Sequence, residues 1–364
     1  MLRIAMLHST DSSTRGGLQE HIAQLARLLT TRGHRVTIFG PTRSRHSFQF
    51  KQRDYGTLLP IPVIPSQFGE LNIYLGESEP IHKIITQESF DIFHLHDSIK
   101  PFVPFDALGE IRIPKVVTIH SAWRKEGSSL SMINGLFPWL NESFVGHVHG
   151  VIYVSPFAKY AWGGLTKNVS HEDVIPNGVD ARVFTPRKRI PQTVTIGYMS
   201  RFVERKGPLD YLLLLYALKQ KGIQIKGLMA GYGQMSASIK KEIIRLQLSN
   251  TVQLLGELSG NKRAALYHRS TFFCAPYHDE AFGLTLLEAA SCGCPVIGYA
   301  NEATAELFSN TPYSRALVTH KDISGMADAA IGLLSDREKY NALQQWGYKM
   351  SSTYSWEETA MRTE

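Results

Sequence analysis

The sequence predicts an α/β protein built as two doubly wound halves, and three observations carry that expectation. Short apolar runs alternate with amphipathic stretches along almost all of the 364 residues. The apolar runs are near-continuous rather than alternating in polarity, which is the pattern of parallel strands covered on both faces. A turn-rich connector that opens with Pro176 to Asp180 precedes a second alternating run, which starts at Val194. The boundary is therefore expected near residue 187, giving domains 1–187 and 188–351. A chain of this length can bury two separate cores.

Composition narrows the class. With 43% hydrophobic and 20% charged residues the chain is ordinary for a globular protein. Its longest apolar run, Tyr211 to Leu218, is too short to cross a bilayer. The opening LRIAML turns polar too soon for a signal peptide, so it reads as a first strand and a cytoplasmic enzyme is expected. Cys274, Cys292 and Cys294 are an odd number in apolar settings, which fits reduced core residues rather than a disulfide framework or a zinc site. A net charge of +7 implies affinity for anions, such as nucleotide sugars or anionic lipids. No nucleic-acid motif accompanies that charge, and no nucleic-acid partner is expected.

In chain order, 2–9 is a strand and Leu18 to Leu29 a helix stopped by Gly33. Arg15, Gly16 and Gly17 join them in a strand-to-helix loop, the place where open α/β sheets bind ligands, although a plain flexible turn has the same composition. After a strand at 34–40, residues 41–79 lose periodicity. Arg43, Arg45, Lys51 and Arg53 are interleaved there with Phe48, Phe50 and Tyr55. Such a stretch suits an anionic membrane surface, and equally a solvated insertion. Strands follow at 92–95, 116–119, 151–154 and 173–175, with helices near 79–88, 102–109, 131–147 and 156–163. The strands end in polar residues, His96, His120 and Ser155 among them. The second half alternates from the strand at 194–199 to the helix at 323–334, with one more helix at 336–351.

The stretch from Cys274 to Gly298 concentrates the chemistry. A short strand breaks at Pro276, and a helix begins near Gly283 with Glu280 just before it and Glu288 on its second turn. A helix N-terminus offers unpaired amides to a phosphate, whereas two carboxylates beside it suit sugar hydroxyls. Phosphate and hydroxyls together describe a nucleotide sugar. The other reading makes Glu280 a charge that favours the helix dipole and Glu288 a solvated residue.

EAFGLTLLEAASCGCPVIG resembles the E-x7-E signature of the retaining glycosyltransferases of family 4. The resemblance extends, in order, to Gly16 and Gly17, His120, PNGVD, and Arg201 and Lys206 in SRFVERKG, over residues 2 to about 357. It implies the GT-B fold, two Rossmann-like domains facing across a cleft, with a tail of about 352–364 returning to the first. By resemblance, Arg201 and Lys206 stabilise the leaving diphosphate together with the amides of Phe282, Gly283 and Leu284. Glu288 would take the ribose hydroxyls, Glu280 a hydroxyl of the donor sugar, and His120 would face that sugar. Gly231, Gly233 and Gly256 would pack near the nucleotide, while His96 and Asp97 would line the acceptor side.

The implied donor is a UDP- or GDP-sugar. The loop GELSGNKR has no acidic residue after Glu257 to take guanine's donors, which favours UDP. The implied acceptor is a glycan, a lipid or a small metabolite. No cofactor and no protein-held divalent metal are expected, because cations already stand at the phosphates and no DxD motif is present in either loop. Peripheral contact with an anionic membrane is expected from the basic stretch. Rival classes are a non-catalytic nucleotide-sugar binder, an epimerase and a phosphorylase.

Overall fold

The computed structural model describes residues 1–8, 16–40, 51–54, 57–60, 72–75, 81–96, 105–122, 147–162, 169–308, 311–312 and 316–364. They fall into two compact units, one containing the described residues up to Asn177 together with Trp356–Glu364, the other Gly178–Ser355.

The first unit runs β1 (Arg3–His8), α1 (Gly17–Thr31), β2 (Arg35–Gly40), β3 (Gln52–Asp54), β4 (Thr57–Pro60), β5 (Asn72–Leu75), α2 (Ile81–Gln87), β6 (Ile92–His96), α3 (Phe105–Glu110), β7 (Lys115–Ile119), β8 (Gly150–Tyr153), α4 (Pro156–Trp162) and β9 (His171–Val174). Its sheet has the order β3-β2-β1-β6-β7-β8-β9, and β4 and β5 form a separate antiparallel ribbon. The paired strands of the large sheet are parallel, with Met6 opposite His94 and His8 opposite His96. Ile4 to Leu7 are buried, as a strand covered on both faces requires. Helix α1 lays Ile22, Leu25, Ala26 and Leu29 on the sheet and stops where Gly33 takes φ +98°. Strand β3 and the ribbon lie within 41–79, where the sequence shows no periodicity from which to expect them. The helix expected at 131–147 lies outside the described residues, save for its last position.

The second unit runs β10 (Val194–Met199), α5 (Pro208–Gln220), β11 (Ile225–Ala230), α6 (Ser236–Arg245), β12 (Val252–Gly256), α7 (Asn261–Arg269), β13 (Phe272–Ala275), α8 (Leu284–Ser291), β14 (Val296–Tyr299), α9 (Glu302–Phe308), β15 (Leu317–Val318), α10 (Ile323–Ser335) and α11 (Arg337–Thr353). Its sheet is also parallel, with the order β12-β11-β10-β13-β14-β15. Cys274, Cys292 and Cys294 are buried free thiols.

The division at Asn177/Gly178 moves the boundary expected near 187, and hydrogen bonding explains the shift. Val179 N–H donates to Tyr354 O at 2.9 Å, and Val179 bridges Ser355. Arg187 is buried, donating to Ser270 O and Tyr340 OH, while Tyr340 OH donates to Thr271 O at 2.8 Å. The connector is thus part of the second core. The chain returns through α12 (Trp356–Thr363), which buries Trp356 and Ala360 in the first unit and donates from Thr359 Oγ1 to Pro176 O at 2.8 Å.

Arg187→Ala removes two charge-assisted bonds and leaves two buried oxygens with fewer donors. A loss of about 3 kcal/mol in the second unit is expected, each such bond contributing about 1.5–3 kcal/mol. Urea unfolding measures it, and an unchanged midpoint would show that Arg187 does not tie the connector to this core.

Candidate functional site

In the second unit, the loops that leave β10, β11 and β12 are stitched edge to edge. Ser200 N–H donates to Ala230 O at 3.2 Å, Phe202 to Tyr232 O at 2.9 Å, and Gly231 to Gly256 O at 2.8 Å. Gly231 has φ +137°, and a Cβ there would stand 2.8 Å from the Phe202 ring. A Cβ on Gly233 would meet Phe202 O at 2.6 Å. The two glycines let these backbones touch, which brings Gly231, Gly233 and Gly256 together at the carboxyl edge of the sheet.

Charge gathers in the loops after β10 and β13. Lys206 is only 8% exposed, yet its ammonium donates to Glu280 Oε2 and lies 4.6 Å from the centre of the Tyr277 ring. Burial pushes the Lys206 pKa down to about 8, against the upward pull of Glu280. Burial also pushes the Glu280 carboxyl upward, but the charge and hydrogen bond of Lys206 outweigh it and hold the carboxyl below its ordinary range. Glu280 Oε1 accepts from Ala281 N–H at 3.0 Å as well. Arg201 is exposed and forms no ion pair among the described residues. Crowding by protein atoms and by Arg205 lowers its pKa to about 10, so it stays charged at neutral pH. Asp279 is pushed up by burial, and its Oδ1 has no hydrogen-bond partner.

The loop carrying Glu280 is fixed from behind. His278 N–H donates to Arg205 O at 2.9 Å, and the His278 ring meets Asp210 Oδ2 at 2.8 Å. Tyr299 OH donates to the same carboxylate at 2.9 Å. Gly283 closes the loop at φ 92° and caps α8 without a side-chain hydrogen bond, so the helix begins with Leu284. Phe282 is buried and meets the Tyr354 ring edge-on.

Glu288 has a different neighbourhood from Glu280. It is 2% exposed, and its carboxylate accepts from Arg263 Nη2 and, at 2.7 Å, from Tyr267 OH. Those two residues stand one helical turn apart on α7, facing α8. The reading of Glu288 as a solvated residue is thereby overturned. Arg205, Arg263 and Tyr267 were not singled out from sequence. Only the i, i+4 spacing of Arg263 and Tyr267 signalled a shared face.

In the first unit, Gly16 is the extended N-cap of α1 and Gly17 its first residue, so the pair forms the entry to a helix. His120 is half-buried beyond β7, and His96 is fully buried at the end of β6 with its Nδ1 3.2 Å from His120 Nε2. His21, His94 and His8, none of them read from sequence, are buried around them. His21 Nδ1 meets Asn177 Oδ1 at 2.7 Å, and His94 Nε2 meets Thr118 Oγ1 at 2.7 Å. Burial lowers His21 to about 4 against the hydrogen bond of Asn177, and lowers His94 to about 3 with help from His21. Desolvation and the neighbouring rings also hold His96 and His120 well below the ordinary value. Ser155 serves as a cap, accepting from Ala158 N–H at 2.9 Å. Asp97, Arg43, Arg45, Phe48, Phe50 and Tyr55 lie outside the described residues. Lys51 and Arg53 both lean on Glu88, which offsets one of their two charges.

The fold recurs in known proteins. The sucrose-phosphate synthase of Thermosynechococcus elongatus superposes with a TM-score of 0.80 at 18% identity, covering 100% of this chain and 97% of that one. Anabaena Alr3699/HepE, solved with UDP and glucose, gives 0.78 at 18% identity, covering 100% and 98%. These likenesses define a GT-B protein. The sequence model of Glycosyltransferase Family 4 matches residues 15–183 and that of Glycosyl transferases group 1 matches 184–350. The chain belongs to the family 4, group 1 glycosyltransferases. Among curated relatives, the phosphatidyl-myo-inositol mannosyltransferase of Mycolicibacterium smegmatis is 28% identical over 348 residues, 92% of this chain and 85% of that protein. The gpi3 subunit of the phosphatidylinositol N-acetylglucosaminyltransferase of Schizosaccharomyces pombe is 25% identical over 365 residues, 96% of this chain and 76% of that protein.

The buried histidines predict an acid-sensitive first unit. In the unfolded chain they take up protons below about 6.5, whereas His21 resists until about 4 and His94 until about 3. Stability contributed by their neutral state is present above pH 6.5 and falls as pH drops from there toward 4. Melting temperatures across that window are expected to fall more steeply in wild type than in His94→Leu. Equal slopes would remove the histidines as the cause.

Proposed function

We propose that the protein is a retaining hexosyltransferase that moves a sugar from a nucleoside-diphosphate donor to a hydroxyl of an inositol-phospholipid acceptor. The observation that carries the donor half is the buried Lys206–Glu280 pair beside Arg201 and the start of α8. A buried ammonium ready to meet phosphate and a carboxylate ready to accept from sugar hydroxyls are what a nucleotide sugar needs at its reacting end. The acceptor half rests on relatives whose names pair a mannosyl or N-acetylglucosaminyl transfer with phosphatidylinositol.

In this reading Arg201 and Lys206 neutralise the charge that grows on the departing diphosphate, aided by the amides of Phe282, Gly283 and Leu284. Glu280 exchanges part of its bond to Lys206 for a hydroxyl of the sugar and so orients the ring. Glu288 takes the ribose hydroxyls, its carboxylate prepositioned by Arg263 and Tyr267. The loops at Gly231, Gly233 and Gly256 hold the nucleotide. By the family resemblance, His120, Gly16 and Gly17 would meet the donor, and His96 and Asp97 the acceptor. The leaving phosphate accepts the proton of the attacking hydroxyl, so configuration is retained without a separate carboxylate base and without a metal at the diphosphate. Among the described residues no helix is long and apolar enough to cross a membrane.

Thermal shifts with UDP- and GDP-sugars, followed by labelled transfer to phosphatidylinositol in mixed vesicles, test the proposal. Lys206→Ala is expected to lower kcat by roughly tenfold to a hundredfold with a smaller change in donor KM, because the charge it offsets grows in the transition state. A change confined to KM would assign Lys206 to ground-state binding. A protein that neither binds nor consumes any nucleotide sugar would end the reading.

A further inference from the structure

Three imidazoles of the first unit converge from three different elements: His21 from α1, His96 from the end of β6, and His120 just past β7. Each offers one ring nitrogen to a common space in which all three lie within 4.8 Å of one another. Strand register accounts for the convergence. His96 pairs with Thr118 across β6 and β7, so His120, two residues farther along, emerges on the same face. Helix α1 covers that face with His21, whose ring centre is 5.4 Å from His96 and 4.5 Å from His120.

The hydrogen bonding has the form of a ligand set. Asn177 Oδ1 can only accept, so His21 Nδ1 carries the hydrogen of their 2.7 Å bond and Nε2 presents a lone pair. That Nε2 is buried without a hydrogen-bond partner, an arrangement that costs stability unless an electrophile fills it. A second partner on the outer nitrogen is how metal-binding imidazoles are oriented. His96 Nδ1 and His120 Nε2 stand 3.2 Å apart, close to the spacing of two nitrogens on a tetrahedral ion with bonds of about 2.0–2.1 Å. An ion there displaces the hydrogen they share to the far nitrogen of the ring that carries it, so no proton is lost.

We propose that His21, His96 and His120 form a binding site for a transition-metal dication of the zinc type, with a fourth position open beside half-buried His120. Three neutral nitrogens without a carboxylate favour Zn²⁺ or Co²⁺ over Mg²⁺ or Ca²⁺. The site shares His96 and His120 with the proposed transfer site but no residue with the diphosphate-binding groups, and its metal binding is measured without any donor or acceptor.

Tag-free full-length protein is stripped with chelator, loaded with Zn²⁺ or Co²⁺, desalted, and assayed for bound metal. The expected result is about one ion per chain, four-coordinate cobalt bands in the visible spectrum, and a melting temperature raised by Zn²⁺ but not by Mg²⁺. His21→Ala is expected to abolish all three, while His268→Ala in the second unit leaves them intact. Asn177→Leu keeps every ligand but releases the outer nitrogen of His21, and is expected to weaken binding roughly tenfold to a hundredfold. Wild type that holds no ion after desalting, or His21→Ala that keeps the cobalt bands, overturns the proposal. If His21→Ala does not fold, unchanged affinity in Asn177→Leu overturns it instead.

Discussion

A parallel sheet imposes one constraint from which the rest follows: each strand must be carried back to the starting edge before the next can begin. All strands of a sheet therefore finish at the same edge, and the chain can change direction there only through loops. Each unit has such an edge. In the second, it gathers the loops after β10, β11, β12 and β13, which hold Lys206, Gly231, Gly256 and Glu280. In the first, it gathers the ends of β1, β6 and β7, which hold His8, His96 and His120. Residues distant in sequence become neighbours because their strands end together.

The second unit stores its charge in compensated form. A lone ammonium as buried as Lys206 would shed its proton, and a lone carboxylate in the place of Glu280 would gain one. Paired, both remain ionised near neutrality. The same logic applies to Glu288, which could not stay buried as an anion without the guanidinium of Arg263 and the hydroxyl of Tyr267. The first unit solves burial differently, by keeping its imidazoles neutral.

Most of the architecture was legible because apolar runs report burial directly. The strands of the second unit and the helix that begins after Gly283 were readable from hydrophobic pattern and glycine placement. The structural division at Asn177/Gly178 lies ten residues before the expected boundary because PNGVD and the residues after it look like a linker in composition, while the bonds of Val179 and Arg187 are set by residues far along the chain. Strands β3, β4 and β5 gave no signal for a similar reason, since strands of three or four residues are too short to show a period. At the site, Glu280, Lys206 and Arg201 were readable through the family resemblance. The partners of Glu288 and the companions of His120 were not, since contacts across a sheet leave no trace in spacing. His21 in particular looks like any polar residue in an amphipathic helix until Asn177 is placed beside it.

The return of the chain through α12 bears on the order of folding. His21 packs its ring against Trp356, 5.6 Å away, and Thr359 donates to the carbonyl of Pro176. The first of these contacts joins the first helix of the unit to a residue that a ribosome adds more than three hundred positions later. The second unit is contiguous from Gly178 to Ser355 and can assemble as soon as it emerges. The unit translated first is thus completed last, and its histidine-lined interior stays open on one side while its neighbour is being made.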